Sequence, residues 1–84
     1  AWTDWGPMLG LVAGIMSPGG RAVVLVGDAT LRALRRNLGR PGAGGGRAQP
    51  DWERAARAGW QVRRVLTLLH LERGYAVSLE LPSD

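Results

Sequence analysis

The sequence predicts a small α/β domain of the α+β kind, with its elements in the order helix, strand, helix, helix, strand. Three segments place apolar residues at helical spacing, two short runs are rich in β-prone residues, and glycine- or proline-bearing turns separate them. A chain of 84 residues has room for one modest core, so residues 1–84 read as a single domain. Two strands make a poor sheet alone; they are expected to pair with each other or to extend across a dimer.

The first helix is expected over residues 5–16. Trp5, Met8, Leu9, Val12, Ile15 and Met16 recur at helical spacing after Asp4, a suitable N-cap, with Pro7 in the first turn. No polar side chain occurs from Trp5 to Met16, and a helix apolar all round needs cover on most sides. Gly6, Gly10 and Gly14 follow one another at intervals of four, a spacing that lets a second backbone approach closely. Each interior glycine costs about 0.5–1 kcal/mol relative to alanine, so this helix depends on packing.

Ser17-Pro18-Gly19-Gly20 ends the helix, and residues 21–26, with three valines and a leucine, read as a buried strand. Asp28 is the expected N-cap of a second helix over residues 29–38, with Leu31, Leu34 and Leu38 inward, Arg32, Arg35 and Arg36 outward, and Gly39 as its stop. Residues 39–50 hold five glycines and two prolines without periodicity and read as a flexible loop. Asp51 is expected to cap a long third helix to about residue 73, closed by Gly74. It would bury Trp52, Ala55, Ala56, Gly59 and Trp60, then Val62, Val65, Leu66 and Leu69, with Arg54, Arg57, Gln61 and Arg64 on the opposite face. Residues 75–81 alternate Tyr75, Val77, Leu79 and Leu81 with Ala76, Ser78 and Glu80, a half-exposed strand ended by Pro82.

Chemistry is sparse. Without cysteine there is no disulfide, thiolate metal site or thiol nucleophile. His70 is the single histidine, and no carboxylate pair falls at helical spacing, so neither an enzyme, nor a metal site, nor a bound cofactor is expected. The glycine run lacks the Gly-Lys-Ser/Thr of a P-loop and the spacing of a dinucleotide fingerprint. No uncharged apolar run is long enough for a clear membrane span, and anchoring at a membrane surface through Trp2 and Trp5 is a distant reading. No segment has the pattern of a secretory signal, and the cytoplasm is the expected compartment.

All eleven basic residues are arginine, a bias that suits a GC-rich genome. Ten of them lie in residues 31–73, against Asp51, Glu53 and Glu72, so the basic character is confined to the middle of the chain. Two functions are therefore carried forward. The first is a non-enzymatic binding module acting by protein contact or self-association through the apolar first helix, with Trp5, Gly6, Met8, Gly10, Leu11 and Gly14 as contact residues. The alternative is a nucleic-acid-binding regulator using Arg32, Arg35, Arg36, Arg40, Arg47, Arg54, Arg57 and Arg64. In a winged-helix form of that alternative the third helix reads the groove and residues 75–81 form part of a wing, with no second wing strand following.

Two segments, DATLRALRR at 28–36 and QVRRVLTLLHLER at 61–73, resemble the two helical signatures of STAS-type anti-sigma-factor antagonists. The resemblance implies that both segments are helices flanking a strand. It departs from that pattern where Gly27-Asp28-Ala29-Thr30 stands for the serine-containing turn and where the loop and residues 52–59 replace the strand, so no functional residue is carried over.

Overall fold

A computed structural model describes residues 4–38, 48–69 and 74–83. Helix α1 spans Trp5–Ala13, strand β1 Arg21–Val26 and helix α2 Asp28–Asn37. A 3-10 turn at Pro50–Trp52 leads into helix α3, Glu53–Ala58, and strands β2, Gln61–Leu68, and β3, Gly74–Glu80, complete the chain. The sheet is antiparallel and three-stranded, in the order β1-β3-β2. It is an α+β fold, but with one more strand than expected and in a different element order.

The correction lies in residues 51–73. Gly59 adopts φ 92°, the left-handed geometry that ends a helix, so α3 stops after six residues. The chain then extends as β2, which pairs along β3 from Gln61↔Glu80 to Leu68↔Gly74 with a bulge between Val62 and Arg64. The second segment that resembled a STAS helix is thus in large part a strand. Asp28 and Asp51 do not hold the N-cap positions either. Gly27 holds the N-cap position of α2, and Asp28, its first residue, accepts a 2.7 Å hydrogen bond from the Tyr75 hydroxyl. The first helix ends at Ala13, earlier than its apolar run, because the backbone tightens into turns from Gly14.

All three helices and the sheet contribute to one core. Leu31, Leu34 and Leu38 from the α2 region meet Val24 and Val26 of β1 and Val77 and Leu79 of β3. Leu9 of α1, Trp52, Ala55, Trp60 and Leu81 complete it, and α1 packs mainly against α3. The Trp60 indole N–H donates to the Leu9 carbonyl at 2.9 Å, tying the start of β2 to α1. Asn37, buried at the end of α2, accepts from the Gln49 backbone N–H at 2.8 Å and donates to the Ala33 carbonyl at 2.9 Å. Those bonds tie Gln49, just before the 3-10 turn and α3, to the end of α2. Residues 39–47 of the expected loop, and His70, lie outside the described residues.

Candidate protein-contact surfaces

The glycine stripe of α1 is occupied by the chain itself. Gly6 and Gly10 are buried; a Cβ on Gly6 would meet the Asp51 carbonyl oxygen and, at 3.2 Å, the Trp52 ring. One on Gly10 would lie 2.6 Å from Cγ and Cδ of Arg54. The small residues do permit close approach, but to the 3-10 turn and α3 rather than to a second copy. Trp5 is half-buried and joins the core edge, and Gly14 is exposed.

On the opposite side of α1, Met8, Leu11 and Ile15 follow at intervals of three and four, and all three are exposed, Leu11 to 63% and Ile15 to 87%. With the exposed Pro7 beside them they form an apolar stripe facing solvent. Of the expected contact residues, Met8, Leu11 and Gly14 are exposed, and Ile15, which was not among them, is exposed as well.

The sheet carries a second apolar surface, because the core lies on one face only. Across the ladder, Leu25 of β1, Ala76 of β3 and Leu66 of β2 form one outer row, and Val23, Ser78 and Arg64 the next. Val23 and Leu25 are 65% and 62% exposed, so β1 is a half-exposed strand and not the buried one its composition suggested. At the far end of this face Glu80 bonds Arg63 at 3.1 Å and Arg21 at 3.5 Å. A depression of ≈ 380 Å³ is lined there by Arg21, Val23, Arg63, Arg64, Ser78 and Glu80, with three positive charges against one negative. Arg63 was not singled out from the sequence; the signal for it is its pairing with Glu80, which only the register of β2 reveals.

Arg32, Arg35 and Arg36 are exposed on α2, and Arg54 and Arg57 on α3. Arg64 does not continue the α3 row, since it lies on the outer face of β2. None of these six pairs with a described carboxylate, whereas Arg40 and Arg47 lie outside the described residues. Among the described residues there is no group of three metal-ligating side chains and no helix long and apolar enough to cross a membrane. No family model, curated protein or solved structure matches the chain.

Proposed function

We propose that this protein is a non-enzymatic binding module that works by protein contact through α1. The observation that carries the reading is the exposure of Met8 and Leu11 on α1, and of Ile15 in the turn after it, while the other side of the helix is anchored in the core. A helix presenting residues at such intervals suits a hydrophobic groove or a second apolar helix as its counterpart. With Gly6 and Gly10 enclosed, the contact rests on side chains rather than on close backbone packing. A photo-reactive residue at position 11 tests this: a discrete protein adduct is expected, lost when Ile15→Glu is added, and its mass tells a second copy from another protein. No protein adduct, from a variant that folds normally, would refute it.

A second reading, arginine-dependent nucleic-acid binding, gains from β2 and β3. They pair antiparallel, so the strand of residues 75–81 has a partner strand that the sequence reading did not give it. Against it, α3 has six residues and packs on α1 rather than forming a unit with α2. Duplex affinity measured against salt decides: each phosphate contact contributes a slope of about −0.9 in log–log form. Arg32/Arg35/Arg36→Ala should flatten that slope; equal, salt-insensitive binding by both proteins would end this reading.

A further inference from the structure

The two edges of the sheet differ. Along β2 the free edge is interrupted by the bulge at Arg63 and flanked by the charges of Arg63 and Arg64, devices that prevent another strand from adding there. Along β1 the segment Ala22-Val23-Val24-Leu25-Val26 has no charge, no proline and no shift of register. Among the described residues no strand lies beyond it.

The backbone of that edge can be read from one bond. The Leu81 N–H donates to the Gly20 carbonyl at 2.8 Å, and the register sets Gly20 opposite Leu81. Hydrogen-bonded and non-bonded pairs alternate in an antiparallel ladder. It follows that Ala22, Val24 and Val26 exchange bonds with β3, while Val23 and Leu25 aim their N–H and C=O groups at the free edge. These two residues also carry the exposed side chains of the strand.

We propose that β1 pairs with β1 of a second copy, antiparallel about a two-fold axis, to give a continuous six-stranded sheet. Side chains of one face must meet those of the same face, so only registers joining odd to odd and even to even positions are allowed. An axis through Val24 meets this condition and sets Val23 opposite Leu25 of the second copy, and Ala22 opposite Val26. The outward N–H and C=O groups of Val23 and Leu25 then bond reciprocally. Arg21, whose side chain is 82% exposed, comes level with Gly27 of the second copy at each end of the new ladder. This pairing uses no residue of the α1 stripe.

Sedimentation equilibrium of the whole chain, up to high micromolar concentration, tests the proposal. Val23→Pro removes an N–H that points to the free edge and leaves the β3 ladder intact. Leu25→Lys puts a charge on that edge at an exposed position, and decides the matter if the proline variant fails to fold by circular dichroism. The wild type is expected to dimerise, each β1 variant to dissociate at least about tenfold more readily, and Leu11→Glu to dimerise like the wild type. A wild type that stays monomeric overturns the proposal, as does a dimer that survives both β1 changes. A dimer broken by Leu11→Glu alone would assign association to α1, overturning the edge pairing while sparing the function proposed above.

Discussion

Alanine substitution along the glycine stripe distinguishes a helix packed within its own chain from one reserved for another molecule. At Gly6 the new methyl would overlap the Asp51 carbonyl, part of the backbone of the 3-10 turn and unable to swing aside, with the Trp52 ring 3.2 Å away. Overpacking of this kind costs about 1–3 kcal/mol, and an unyielding neighbour puts Gly6 near the upper end. The better helix propensity of alanine returns about 0.5–1 kcal/mol, leaving a net loss of about 2 kcal/mol. At Gly10 the obstacle is the stem of Arg54, whose Cγ and Cδ can rotate although its Cβ, 2.9 Å away, cannot move as freely. There the two effects roughly cancel, and the loss should stay below about 1 kcal/mol. At Gly14 the methyl meets only the Leu11 carbonyl oxygen at 3.3 Å, and stability should change by less than about 0.5 kcal/mol. With a urea slope of about 1 kcal/mol/M for a chain this short, Gly6→Ala should lower the midpoint by about 2 M and Gly14→Ala hardly at all. If Gly6→Ala unfolds with the wild type, or the order of the three is inverted, then α1 does not sit on Asp51 and Trp52, and the stripe is free for a partner after all.

Trp60→Phe should cost about 2–3 kcal/mol in a thermal or urea melt, about 1 for the bond to the Leu9 carbonyl and the rest for the space left by the indole, because Trp60 is only 1% exposed. Gly59→Ala combines a left-handed backbone with a methyl 2.8 Å from Cγ and Cδ of Pro82, and a loss of about 2–3 kcal/mol is expected from denaturant unfolding. Asn37→Ala leaves the part-buried Gln49 N–H without its acceptor and should lose about 1–3 kcal/mol, with faster hydrogen exchange at Gln49. Gln49→Ala, which keeps that backbone bond, should lose less than about 1 kcal/mol.

The strand β2 shows why part of the fold was hidden in the sequence. On an uninterrupted strand the inward residues would fall at every second position, as Trp60 and Val62 do. The bulge at Arg63 then adds a residue, and the next inward positions by register are Val65 and Thr67. The step from Val62 to Val65 is a helical interval, and with Ala55, Ala56 and Gly59 before it the pattern passes for one continuous helix. Two residue types pointed the other way: Gly59, which can end a helix, and the β-branched Val62, Val65 and Thr67, which favour strands. By contrast β1, α2 and β3 lie within a residue or so of their expected limits, because no bulge interrupts them.

The contact surfaces were less legible than the fold for a related reason: hydrophobic periodicity reports which residues are apolar, not which side is covered. In residues 5–16 every position satisfies the pattern, so only tertiary placement separates the enclosed Gly6 and Gly10 from the exposed Met8, Leu11 and Ile15. In β1 the run Ala22-Val23-Val24-Leu25-Val26 reads as a strand covered on both faces, since nothing polar marks an outside. Among the described residues one face is covered and no strand lies along the outer edge, although the composition is that of an interior strand. Burying such a strand completely takes a second layer on its outer face and a neighbour along its edge. The free N–H and C=O groups of Val23 and Leu25 specify the geometry of that neighbour, whereas the outer face specifies only that it be apolar beside Leu25 and Leu66 and acidic beside Arg21, Arg63 and Arg64.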